Sequence, residues 1–154
     1  MSDAELEVLI HCPKIIRRRD VPRLNISIAE AERGCRRFDI PLESNCGSFW
    51  LRGRQAVDDP GDYSVILSVR CRGVQEFNLI RCNGAHDHRN RLEREMVRGT
   101  HVHIATERSI NMCGKAEGYA IATDRYYDFE SALEYLIKYV NIKTEGDDTQ
   151  PHLF

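Results

Sequence analysis

The run Tyr63–Cys71, YSVILSVRC, strictly alternates its faces and places Tyr63, Val65, Leu67 and Val69 on one side. A short turn at Arg72-Gly73-Val74 leads into a second strand-like run, EFNLIRCNG. Two such runs so closely spaced predict an antiparallel hairpin, and so an antiparallel sheet in mid-chain. SFWLRGR, ahead of the turn DDPGD, supplies an earlier strand, and THVHIAT and GYAIAT supply later ones. The segment DFESALEYLIKYVNI repeats its apolar residues every three or four positions. Phe129, Ala132, Leu133, Leu136, Ile137 and Val140 therefore share one helical face, with Asp128 placed as the N-cap.

The first forty residues read less regularly. SDAELEVLIHCP reads as a short helix or strand closed by Pro13, and RRRDVPR as a connection. SIAEAERGCRRF reads as a helix, with Ser27 and Glu30 as a capping box and Ile28, Ala31, Cys35 and Phe38 as its buried stripe. Helix, strands, then helix implies the α+β class: an antiparallel sheet of about five or six strands with helices packed on one face. Residues 1–142 are expected to form a single domain, and the acidic tail 143–154 to be flexible.

The formal charge of −2 hides an asymmetry, because Lys14–Arg37 carries a net +5. That stretch reads either as a solvated face or as a phosphate or nucleic-acid contact. None of the six cysteines forms a C-x-x-C pair. The opening MSDAELEV has neither the basic nor the apolar region of a secretory signal. Reduced, mostly buried thiols and a cytoplasmic location are expected. No apolar run approaches membrane-spanning length, so no membrane partner is expected.

Four of the six histidines fall between Asn83 and Thr106, as two His-x-His units: His86 with His88 and His101 with His103. In a strand Val102 and Ile104 share one face, expected to be the core, and His101 and His103 share the wet one. The segment from Gly84 to Gly99 is long for a hairpin connection and is read as functional or disordered. Three chemistries compete. Imidazoles titrate near neutrality and can exchange protons, while Arg89 and Arg91 can hold a phosphate. Two His-x-His units can also ligate zinc, with Asp87 or Glu107 adding an oxygen, although the arginines would repel a cation. The third alternative is the polar, solvated side of a half-exposed sheet.

LIRCNGAHDHRN, followed by HVHIAT, the pair Tyr119-Ala120 and a closing helix ending YVNI, resembles an uncharacterised family of small bacterial and phage domains. Its members carry a glycine-led His-Arg-Asn loop followed by a His-x-His-Ile strand. The resemblance covers Phe77 to Ile142 and lands on Gly84, His88, Arg89, Asn90, His101 and His103. The chain departs from the pattern with Arg91-Leu92-Glu93 where the family has Pro-Asp-Gly, and with Ala105 where it has tyrosine. The resemblance implies a phage or toxin–antitoxin context and no particular activity.

The leading expectation is a small phosphodiesterase or ribonuclease-like protein. His101, His103 and His88 would be catalytic, and Arg89, Asn90, Arg91 and Lys115 would bind phosphate, with no metal and no cofactor. The rivals are a non-catalytic module binding a nucleotide or a protein partner, and a His-x-His metalloprotein. Cys82 is read as a packed thiol rather than a nucleophile. Trp50 and Phe49 beside Arg52 and Arg54 read as core aromatics or as a base-stacking platform.

Overall fold

The computed structural model describes residues 1–146. Its elements are α1 (Asp3–His11), β1 (Lys14–Ile16), β2 (Cys35–Leu42), β3 (Ser48–Ala56), β4 (Tyr63–Arg70), β5 (Phe77–Asn83), β6 (His88–Asn90), β7 (Glu95–Val97), β8 (His101–Ile104), α2 (Glu107–Cys113), β9 (Tyr119–Ala122), α3 (Phe129–Tyr139) and β10 (Ile142–Thr144). Two short 3-10 segments, Arg18–Leu24 and Ile26–Ile28, join β1 to β2.

Six strands form one antiparallel sheet in the order β2-β3-β4-β5-β8-β9, and the fold is α+β. Alternation does the sorting. Phe38, Ile40 and Leu42 of β2, Phe49 and Leu51 of β3, and Tyr63, Val65, Leu67 and Val69 of β4 are all buried in one core. Helices α1 and α3 cover that face with Leu6, Leu9 and Ile10, and with Phe129, Ala132, Leu133, Leu136 and Ile137. Each has a capping box, Ser2 with Glu5 and Asp128 with Ser131, which satisfies backbone N–H groups that a helix start leaves unpaired. Among the described residues no helix is long and apolar enough to cross a membrane.

Two expectations are corrected. The helix read over Ser27–Phe38 does not form. Arg33 and Gly34 both take positive φ, 52° and 79°, and Glu32 and Cys35 exchange two backbone hydrogen bonds around them. That is a two-residue hairpin turn, which a helix cannot contain. The period-2 run Phe38, Ile40, Leu42 outweighs the helical spacing, and Ile28 is left exposed. The tail also starts later than expected, because Lys143 and Thr144 pair with β1 in a parallel two-stranded ribbon. The rest of that tail, residues 147–154, lies outside the described residues.

Candidate functional site

β5 and β8 pair with Arg81 opposite His103, Cys82 opposite Val102 and Asn83 opposite His101. Val102 and Cys82 enter the core, and Ile104 packs against it. His101, His103, Arg81 and Asn83 consequently share the other face, as alternation requires. Burial pushes the Cys82 thiol up to about 12, which fits a packed, protonated group rather than a nucleophile.

The histidine face is not wet. After β5 the chain crosses the β3–β4 turn at Gly84, where a Cβ would sit 2.0 Å from the Gly61 carbonyl oxygen. Only glycine allows this approach. The following segment folds as the β6–β7 hairpin, packs against β9, and brings His86 and His88 over His101 and His103 of β8. Asn90 ties it down: its amide donates to the Ala120 carbonyl at 2.8 Å and accepts from the Ala120 N–H at 2.8 Å. His101 and His103 are left 0% and 2% exposed.

All four histidines converge. The ring centroids of His88 and His103 are 4.5 Å apart, those of His86 and His101 4.7 Å, and those of His101 and His103 5.0 Å. Three of their nitrogens meet backbone carbonyls. His101 Nδ1 lies 2.8 Å from Gly99 O and His103 Nδ1 lies 2.9 Å from Glu117 O. Carbonyls only accept, so both Nδ1 atoms carry the proton, and His101 Nε2 accepts from Asn83 Nδ2 at 3.4 Å. His88 Nε2 donates to Gly118 O at 3.2 Å, which leaves its Nδ1 lone pair unused there. Among the described residues no group of three or more His, Cys, Asp or Glu is arranged to hold a metal ion.

Behind the imidazoles lies Glu117, a carboxylate with 4% of its side chain exposed. It accepts from Asn78 Nδ2 at 2.9 Å and lies 3.5 Å from Arg81 Nη2 and 3.9 Å from Lys115 Nζ. Arg81 Nε is buried without a partner. Burial, reinforced by the Arg81 charge and, once they protonate at lower pH, by His88 and His101, pushes His103 down to about 3. Burial is also the leading cause that lowers His101 and His88. All three are neutral at pH 7.

The pH dependence of stability follows. Unfolded histidine binds a proton near pH 6.5, whereas folded His103 does so only near 3, so between these values the unfolded chain holds more protons. Stability must fall as pH drops below 6.5, and His103 alone should account for about 2 kcal/mol by pH 5. Denaturant midpoints taken between pH 7 and pH 5 check this. A flat profile would mean that water reaches the stack.

The expected site residues divide. His88, Arg91 and Lys115 meet around a pocket of about 260 Å³, together with Glu93, Ser109, Cys113 and Gly118. α2, capped by Thr106, supplies Ser109 and Cys113. His101 and His103 stand behind His88 and do not line this pocket. Arg89 alternates to the far side of β6 from His88 and Asn90, is exposed, and pairs across the hairpin with Met96. Sequence reasoning missed Arg81, Asn83 and Glu117. The first two were within reach, since they alternate with Ile80 and Cys82 and must share the face of the strand-borne histidines. Glu117 lies in CGKAEGYA, where no period marks it.

Comparison with known proteins finds no family model that matches the chain, no similar curated protein and no similar solved structure.

Proposed function

We propose that this protein binds and cleaves a phosphodiester, in RNA or a nucleotide, in the pocket before His88. One observation carries the reading: a neutral imidazole with a spare lone pair shares a small pocket with Lys115 and Arg91. The two cations hold the phosphate, arginine through paired N–H groups and lysine as a point charge. His88 takes the proton from the attacking oxygen. The phosphate beside it favours the imidazolium, so the same ring can return that proton to the leaving oxygen. Asn90 orients His88 by fixing its hairpin to β9, while His101 and His103 hold the ring in place.

A second reading rests on a different observation. Both Nδ1 atoms of the buried pair are engaged with carbonyls, as in a rigid scaffold. A module that retains a nucleotide without turnover, as a counter-defence protein would, uses the same pocket.

Incubation with mixed RNA and 2′,3′-cyclic nucleotides, scoring both cleavage and retention, separates the two. Cleavage is expected, and Lys115→Ala should weaken binding by roughly tenfold, the worth of one charge-assisted contact. Retention without cleavage favours the module. If neither occurs with any nucleotide, the phosphate reading falls.

A further inference from the structure

The face that holds His103 and Arg81 continues across the sheet. Register places Trp50 of β3 opposite Ser68 of β4, and Ser68 opposite Asn78 of β5. Ser68 Oγ donates to Asn78 Oδ1 at 2.7 Å, and Asn78 in turn holds Glu117. Adjacent strands are about 4.8 Å apart, so Trp50 stands about 10 Å from Asn78 along this row. A cleft of about 620 Å³ runs from Lys115 along this row, lined by Arg70, Glu76, Phe77, Asn78, Lys115 and Glu117, and Trp50 borders it through Arg70. Lys115 lines this cleft and the His88 pocket alike, so the two adjoin.

Trp50 is the single tryptophan of the chain and is half-buried on the outer face, away from the core. Arg52 and Arg70 both lie over its ring, at 5.4 Å and 5.7 Å from the centroid. Arg52 is fixed by Asp39 at 3.0 Å and by Glu76. Arg70 is exposed and has no carboxylate partner among the described residues. Arg70 has no carboxylate to hold it on the ring, so turning to a phosphate would uncover Trp50 for a base; such a pair, one short step from the His88 pocket, supplies the parts of a single-strand groove.

We propose that this cleft, with Trp50 next to it behind Arg70, is a subsite for single-stranded RNA flanking the phosphodiester at His88. The assignment rests on the functional reading above. A neutral imidazole base suits a substrate that brings its own nucleophile. The 2′-hydroxyl attacks phosphorus, the 2′-O–P bond forms as the P–O5′ bond breaks, and the proton passes through His88 to the departing 5′ oxygen. The products are a 2′,3′-cyclic phosphate and a 5′-hydroxyl, with no other reactant.

Because Trp50 is the only tryptophan, its fluorescence reports the subsite directly. Binding is followed with His88→Ala protein, so that cleavage does not intrude. The probes are uridine monophosphate, a pentauridylate and the matching deoxy strand. Pentauridylate should quench Trp50 and bind at least tenfold tighter than the mononucleotide. Measured by titration calorimetry, which needs no tryptophan, that advantage should shrink by roughly tenfold in Trp50→Ala, the usual worth of one stacked base, and in Arg70→Ala, while Trp50→Phe retains most of it. Circular dichroism melts of each variant confirm that it is folded. No length advantage, or one that survives Trp50→Ala and Arg70→Ala, overturns the subsite. Equal binding of the deoxy strand overturns RNA as its ligand. A quenching, length-dependent complex that wild type never cleaves keeps the subsite and sinks the enzyme reading. Cleavage that needs His88 but shows no length advantage does the reverse.

Discussion

Replacing Lys14 with methionine should cost the fold on the order of 3–5 kcal/mol, measured by denaturant melts at pH 7. Lys14 is 0% exposed and points inward from β1 together with Ile16. Its ammonium donates to the carbonyls of Ile10 at 2.7 Å, Cys12 at 2.8 Å and Val140 at 2.9 Å. These carbonyls close two helices: Ile10 and Cys12 at the end of α1, Val140 at the C-cap of α3. A helix C-terminus carries partial negative charge and unpaired carbonyls, so one cation with three protons satisfies both ends at once. The group also lies 4.7 Å from the Phe49 ring centroid. Burial pushes the amine down to about 8, which leaves it protonated at pH 7. Methionine fills nearly the same volume without a cavity, so the loss isolates the three orphaned carbonyls. A cost below about 1 kcal/mol would mean that water enters and replaces the ammonium.

Lys14 also shows where the sequence stops being legible. It sits in a basic stretch, and nothing local separates a buried lysine from solvated ones. Its three acceptors lie on elements more than a hundred residues apart, and only the closed fold reveals them. By contrast, β4 and α3 are readable because one period and one buried face decide each of them. Ser27–Phe38 fails for a related reason. It carries a helical spacing and a strand alternation together, and the choice falls to Arg33-Gly34 and to pairing with β3. At the site, alternation gives the faces of His101 and His103 correctly but is silent on what covers them. The cover comes from a segment that sequence periodicity left as an irregular loop. Its fold depends on Gly84 and on the paired hydrogen bonds of Asn90.

His88→Ala should lower phosphodiester turnover by roughly 10²–10⁴-fold, the usual worth of a positioned acid–base group, while leaving stability nearly unchanged. His88 is half-buried at the pocket rim, so its removal opens no closed core site. His101→Ala and His103→Ala should behave differently. Those rings are fully buried and hydrogen-bonded to Gly99 and Glu117, and truncation strands a carbonyl and leaves a void. Their variants should lose stability first, with activity falling as a consequence. Imidazole added to the assay sharpens the distinction. It can enter the emptied rim of His88→Ala and restore part of the turnover, but it has no path to the closed positions behind it. Stability and turnover measured together on the three variants therefore assign the roles. Turnover lost equally in all three folded proteins would make the buried pair part of the proton path. Turnover unchanged in His88→Ala would remove the catalytic role from the pocket and leave it as a binding site.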